Sequence, residues 1–71
     1  MDFKDLKVKA IIYPHGEYRL GSPVEIIDEG SFYRIDDTHI IDKFKIKKAE
    51  LLEDKLTIEM TDKVVTLEVA Q

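Results

Sequence analysis

The strongest constraint on the fold is a strict alternation of apolar and polar residues in the stretch 55–69. The apolar positions of this alternation are Leu56, Ile58, Met60, Val65, Leu67 and Val69. A period of two places alternate side chains on opposite faces of an extended chain. Asp62 and Lys63 interrupt the pattern with turn-forming polar residues. The sequence therefore predicts two antiparallel strands that share one buried face.

The same period predicts further strands at 6–13, 24–28, 32–36 and 40–47, with 17–20 as a short strand or an ordered loop. Breaks are expected at 14–16 and 21–23, because proline gives no ladder donor and glycine permits turns. The best hairpin signal is Asp28-Glu29-Gly30-Ser31, where the glycine can take a positive φ between two apolar runs. Another turn is predicted at 36–38.

The phase of the alternation also predicts which side chains face inward. These are Leu6, Val8, Ala10 and Ile12, then Tyr33 and Ile35, then Ile40, Phe44 and Ile46, with Ile41 and the lysines 43, 45 and 47 facing outward. The phase slips near Lys48, since Phe44 and Ile46 are even-numbered whereas Ala49 and Leu51 are odd-numbered. Either a β-bulge or a short helical turn near 49–53 would absorb the extra residue.

A chain of 71 residues has room for a single domain, residues 1–71, with a small core. Five or six short strands in this length predict an all-β fold, either a small antiparallel barrel or a rolled sheet. A flat sheet would leave long edges and an uncovered face. The chain has no cysteine, which excludes disulfides and thiolate metal sites.

The segment 20–36 includes Gly21-Ser22-Pro23-Val24-Glu25-Ile26-Ile27-Asp28-Glu29-Gly30. It resembles the opening of the KOW-type, bacterial SH3-like β-barrels, with a glycine, a valine three residues on, alternating aliphatic residues and a hairpin glycine. The resemblance implies a small barrel that binds a peptide, a nucleic acid or a larger assembly. That family usually places glycine and basic residues after the hairpin. Asp36 and Asp37 follow here, a departure that argues against RNA or ribosome binding.

Charge and composition argue against several classes of function. Eleven Lys and Arg against fifteen Asp and Glu give a net charge of −4, which disfavours nucleic acid. No apolar run approaches the roughly 18 residues of a membrane span, and residues 1–5 lack the features of a signal peptide. We therefore expect a soluble, cytoplasmic protein with no membrane partner. Three scattered glycines and no nucleophile motif around Ser22 or Ser31 predict no cofactor and no enzymatic activity.

The two histidines are the residues on which a metal enzyme or hydrolase would depend. His15 lies near Glu17, and His39 lies near Asp36, Asp37 and Asp42. Zinc needs three or four converging ligands, and the chain has no closely spaced pair of histidines. We therefore predict that both histidines are exposed loop residues and that the chain holds no metal.

Both arginines follow a tyrosine, in Tyr18-Arg19 and in Tyr33-Arg34. Tyrosine and arginine are enriched at binding hot spots. Neighbours in a strand point to opposite faces, so Tyr33 is assigned to the core with Ile35, and Arg34 to the outer face with Phe32. The sequence predicts a protein-binding surface at Tyr18, Arg19, Phe32 and Arg34.

Two charged segments offer alternative binding surfaces. Lys43, Lys45 and Lys47 alternate along a predicted strand, and such a ladder can either meet phosphates or serve as a solvated, edge-protecting face. The segment 25–42 carries six acidic residues against Arg34 alone. Segregated charge of this kind favours a protein partner or self-association.

The leading hypothesis is a noncatalytic interaction module, bacterial or phage-like in character and related to assembly, that binds a protein. A homodimer formed through an edge strand belongs to the same class. One alternative is a module that binds single-stranded nucleic acid through Lys43, Lys45 and Lys47. A second is an inhibitor whose acidic segment 25–42 imitates nucleic acid.

Overall fold

The computed structural model describes Phe3 and residues 5–70, and this part of the chain is nearly all β-structure. The strands are β1 (Lys7–Tyr13), β2 (Gly16–Glu25), β3 (Ile27–Asp28), β4 (Phe32–Arg34), β5 (Ile40–Asp42), β6 (Ile46–Leu52), β7 (Lys55–Met60) and β8 (Val64–Val69). A single turn of 3₁₀ helix, Lys43–Lys45, joins β5 to β6. The all-β prediction is confirmed. No helix in the described residues has the length and apolarity that crossing a membrane requires.

The strands form two antiparallel sheets, in the orders β2-β1-β8-β7-β6 and β3-β4-β5. Strand β2 passes into β3 with only Ile26 between them, and the Ile26 N–H donates to the Leu6 carbonyl at 3.0 Å. The two sheets are therefore continuous with each other through β2 and β3. We call this curved series of strands, which begins at β6 and ends at β5, the circuit. We call the junction between β5 and β6, which the 3₁₀ turn crosses, the seam.

Two backbone hydrogen bonds hold the 3₁₀ turn across the seam. The Lys43 N–H donates to the Ser31 carbonyl at 3.2 Å, next to β4. The Thr61 N–H donates to the Lys45 carbonyl at 2.9 Å, at the end of β7. The turn is thus bonded to residues that adjoin both sheets and fixes their separation.

The inner face of the circuit carries one hydrophobic core, with no buried polar or charged side chain among the described residues. The core consists of Phe3, Val8, Ile11, Ile26, Tyr33, Ile35, Ile41, Leu56, Ile58, Met60, Val65, Leu67 and Val69. The predicted alternation in β7 and β8 is confirmed at every position. Tyr33 and Ile35 are also buried as predicted, which leaves Arg34 on the other face.

The predicted phase of β1 is wrong at Ile11 and Ile12, although Val8 and Ala10 are both buried as predicted. Val8 lies opposite Val69, but Ala10 lies opposite Glu68, so Lys9 is an extra residue that forms a β-bulge. A bulge of one residue moves the following side chains to the other face. Ile11 is consequently buried, and Ile12 is only half-buried.

The break predicted at Gly21-Ser22-Pro23 is also wrong, because β2 continues through these residues. Along β2, Val24 is opposite Val8 and Arg19 is opposite Ala10, so the four residues between them face only Lys9. Glycine and proline therefore mark an irregular stretch of β2, in which four residues lie opposite one. The predicted turn at 28–31 is confirmed: Gly30 has a φ of 100° and donates its N–H to Asp28 Oδ1 at 2.9 Å.

The segment 40–52 differs from its prediction. A continuous strand from 40 to 47 is replaced by β5, the 3₁₀ turn and the start of β6, and the Asp42 carboxylate caps the turn by accepting from Phe44 N–H at 2.9 Å. Ile41 is therefore buried, whereas Ile40 and Phe44 are 56% and 83% exposed. The helical turn near 49–53 is not present, since 49–52 belong to β6. The alternative β-bulge is present at Lys47.

We expect Leu56→Ala to lower the free energy of unfolding by about 2–5 kcal/mol, because it empties space in a close-packed core. Leu52→Ala removes the same atoms from a side chain that is 69% exposed, and it should change stability by less than about 0.5 kcal/mol. Urea titration followed by circular dichroism measures both values. Equal losses from the two variants would contradict this placement of the core.

Candidate functional site

The outer face of the three-stranded sheet brings together two of the four predicted site residues. In the strand register, Arg34 lies between Ile27 on β3 and Ile40 on β5. Directly opposed residues project from the same face, and so does Phe32, two positions from Arg34. We call Ile27, Phe32, Arg34 and Ile40 the outer patch.

Arg34 is held in place at the centre of the outer patch. Its Nε donates to Glu29 Oε2 at 2.7 Å, and its Nη1 lies 3.9 Å from Asp37 Oδ1. The hydrogen bond to Glu29 raises the pKa of Arg34 further above its ordinary value, so the guanidinium is charged at every physiological pH. The isoleucines on both sides remain exposed, at 43% for Ile27 and 56% for Ile40.

Several acidic side chains of the segment 25–42 have structural partners. Asp28 pairs with Lys43 at 2.6 Å, Glu29 binds Arg34, and Asp42 caps the 3₁₀ turn. The Asp36 carboxylate accepts hydrogen bonds from the backbone N–H groups of Thr38 and His39, at 2.9 and 2.8 Å. The acidic segment is thus a folded rim of hairpins and turns.

The other two predicted site residues, Tyr18 and Arg19, point to opposite faces of β2. Tyr18 lies opposite Ile11 on the inner face, and Arg19 lies opposite Ala10 on the outer face. Arg19 pairs with Glu17 at 2.8 Å and with Glu68 at 3.3 Å. Among the described residues, no ion pair or ring contact joins either of them to Phe32 or Arg34. The predicted combination of all four residues is therefore not one surface.

Tyr18 belongs instead to a cluster of aromatic rings, formed by Tyr13, His15, Tyr18 and His39, that lies where the β1–β2 hairpin meets the β4–β5 loop. Tyr13 stacks on His15 with ring centroids 5.4 Å apart and on His39 at 6.0 Å. Tyr18 lies 5.6 Å from Tyr13 and 5.2 Å from His39. Partial burial raises the pKa of Tyr13, and nearby Tyr18 and Asp36 raise it further. Tyr13 also packs against the core, so the cluster closes one end of it.

The sequence did not reveal this cluster. His15 is exposed as predicted, but His39 is half-buried against the tyrosines. Part of the cluster could have been predicted, because Tyr13 and Tyr18 project from the same face of the β1–β2 hairpin. The approach of His39 depends on tertiary structure. The described residues contain no group of three or more His, Cys, Asp and Glu side chains that could hold a metal ion.

The predicted lysine ladder is not formed, because Lys43 and Lys45 lie in the 3₁₀ turn and Lys47 in the β6 bulge. Lys45 lies 3.7 Å from Asp62. Lys43 lies over the Tyr33 ring, with its Nζ 4.7 Å from the ring centroid. Lys43 and Lys47 both line a cavity at the seam, and the adjacent Lys48 lines it too.

We expect the stability of the fold to depend on the ionisation of Asp36. Burial raises the pKa of its carboxyl group, but the hydrogen bonds from Thr38 and the interaction with His39 together lower that pKa below its ordinary 3.8. A carboxyl group with a lowered pKa stabilises the folded state above the unfolded-state pKa and loses this effect as the pH falls through the folded-state value. The wild type should therefore lose stability as the pH falls below about 4.

Asp36→Asn keeps an oxygen that can accept from Thr38 and should show a smaller loss of stability in this pH range. Asp37→Asn is the matched control, since it makes the same charge change at a neighbouring, fully exposed side chain. Urea midpoints measured between pH 7 and pH 2.5 test the expectation. The same pH dependence in Asp36→Asn and in the wild type would refute it.

Comparison of the chain with models of protein families, with curated proteins and with solved structures finds no match. A function must therefore be inferred from the chemistry and geometry of the described residues. Within the described residues, the outer patch combines exposed apolar side chains with a charged group held in place.

Proposed function

We propose that this chain is a noncatalytic interaction module that binds a protein partner through the outer patch. The observation that supports the proposal is the row Ile27, Arg34 and Ile40 on three adjacent strands, with the arginine fixed by Glu29 at 2.7 Å. Two exposed isoleucines beside an ordered guanidinium offer apolar area and oriented donors in one place. Binding hot spots combine these features.

The rigidity of the patch favours binding. Its side chains project from short strands that are paired on both sides of β4, and Tyr33 and Ile41 in the neighbouring row are buried in the core. Because Glu29 already orders the Arg34 side chain, less rotamer entropy is lost when a partner binds. A patch on a sheet is also positioned more precisely than one on a mobile loop.

The charges around the patch indicate the chemistry of the partner. Arg34 is neutralised by Glu29 and Asp37, and Asp28, Asp36 and Asp42 lie in the same hairpins. A surface with an apolar centre and a basic rim would complement this arrangement, and charge complementarity increases the association rate and the specificity. We therefore propose a partner protein whose binding surface is apolar at its centre and basic around it.

Comparative affinity capture tests the proposal. Immobilised wild type, Ile40→Ser, Arg34→Gln and Leu52→Ser are incubated with lysate from the source organism, and bound proteins are quantified by mass spectrometry. Leu52→Ser is the matched control because it removes an exposed aliphatic side chain from the distant β6–β7 hairpin. We expect a partner that the wild type and Leu52→Ser retain, and that both patch variants lose by about tenfold, as removal of a hot-spot residue predicts.

Two outcomes would contradict the proposal: equal recovery of every bound protein on the patch variants and on the wild type, or repeated failure to enrich any protein.

Competition with duplex DNA then tests whether the acidic rim imitates nucleic acid. Displacement of the chain by DNA from a partner that also binds DNA would support that mode of action. If DNA does not displace the chain from its partner, the chain is an interaction module that does not imitate nucleic acid.

A further inference from the structure

The most exposed large hydrophobic side chain in the described part of the chain is Phe44, in the middle of the 3₁₀ turn. It is 83% exposed. A phenyl ring in a core removes a large apolar area from water and so stabilises a fold. The ring of Phe44 makes no such contribution, and core packing therefore does not explain its position.

The geometry of the turn explains why this ring lies in solvent. A 3₁₀ helix has three residues per turn, so consecutive side chains diverge by about 120°. Lys43 lies over the Tyr33 ring, with its Nζ 4.7 Å from the ring centroid. Lys45 lies on the other side of the seam, 3.7 Å from Asp62. The side chain of Phe44 takes the remaining direction, which leads away from both sheets.

The backbone beneath the ring is held in place. The Asp42 carboxylate accepts a hydrogen bond from the Phe44 N–H at 2.9 Å, and the Ile46 N–H donates to the Lys43 carbonyl within the turn. The two backbone hydrogen bonds across the seam fix both ends of the turn. A ring on a backbone that is already ordered loses less conformational entropy when a partner covers it.

Phe44 lies next to the outer patch. Asp42 is directly opposite Phe32, a member of the patch, and Phe44 follows Asp42 by two residues. Two residues span at most about 7 Å, so the backbone of Phe44 is close to the Phe32 end of the patch. An interface of ordinary size covers about 20–30 residues on each side. A partner centred on the outer patch therefore reaches Phe44 as well.

The charges beside Phe44 indicate the chemistry of its partner. Lys43 lies 2.6 Å from Asp28, and Lys45 lies 3.7 Å from Asp62. A membrane surface of anionic lipids attracts clusters of lysines whose charges are not neutralised. Here the lysines on both sides of the ring are each paired with a carboxylate. This arrangement favours an apolar pocket of a protein over a lipid surface.

We propose that Phe44 is the anchor of the interface between the outer patch and its protein partner, and that its ring inserts into an apolar pocket of that partner. This inference rests on the proposed function and adds the side chain that dominates the affinity. Aromatic side chains that fill a pocket are typical hot spots, whereas the contacts around them mainly exclude water.

Binding of variants to the purified partner, obtained by the affinity capture described above, tests the role of the ring. Phe44→Ala should weaken the Kd by about thirtyfold or more, as loss of a hot-spot residue predicts. Phe44→Leu should lose less, because it refills part of the pocket. Leu52→Ala is the matched control and should keep the Kd within about twofold. Because Phe44 and Leu52 are mostly exposed, all three variants should unfold at the wild-type urea midpoint.

The outcomes distinguish this inference from the proposed function. Loss of the partner by Ile40→Ser and Arg34→Gln, with a Kd of Phe44→Ala within about twofold of the wild type, would overturn the role of Phe44 and leave the outer patch as the site. Loss by Phe44→Ala alone would contradict the proposed function and the interface in which we place the ring. A wild type that captures no protein would contradict both.

Sedimentation with lipid vesicles tests the other class of partner. Vesicles of phosphatidylcholine and phosphatidylserine should leave the wild type in the supernatant, because the lysines beside the ring are already paired. Co-sedimentation of the wild type that is lost in Phe44→Ala would identify a membrane surface as what covers the ring. That result would overturn the protein pocket.

Discussion

The pairing of β1 with β8 is the contact on which the rest of the structure depends. It joins the β6-β7-β8 meander to the β1–β2 hairpin, which leads directly into the three-stranded sheet. Without it, neither half could enclose its apolar face, because the core draws Val8 and Ile11 from one half and Leu56, Ile58 and Leu67 from the other. A core this small depends on cooperation between the two halves, since a chain of this length buries only about 60% of its unfolded surface.

Much of this architecture could be predicted from the period of the hydrophobic pattern. Strands β7 and β8 are regular, with a tight turn between them, so every buried residue was identified from the alternation alone. The hairpin at Gly30 was also identified, because a positive φ has a recognisable residue preference. In these segments local propensity, periodicity and tertiary burial agree, and this agreement allows the structure to be predicted from the sequence.

The errors in β1, β2 and 40–52 have a shared physical origin. Each lies at an inserted residue or at a short helical turn, where the period of two is interrupted. After the extra Lys9, Ile11 takes the buried position expected for Ile12, and after Asp42 the 3₁₀ turn leaves Phe44 in solvent. Apolar residues of similar size stand on both sides of each interruption, so the pattern alone does not show which of them is buried. The register with a distant partner strand decides that.

The same interruptions place the residues that could carry function. Because the strand prediction treated 40–47 as regular, it produced a lysine ladder, whereas the 3₁₀ turn places Lys43 over the Tyr33 ring and Lys47 is the extra residue of the β6 bulge. The outer patch was partly predictable, since Phe32 and Arg34 lie on a strand of regular phase. Its neighbours Ile27 and Ile40 come from other strands and required the register. In a domain this small, the inner faces of the strands are committed to the core, so side chains on the outer faces and at irregular positions are the ones free to serve binding.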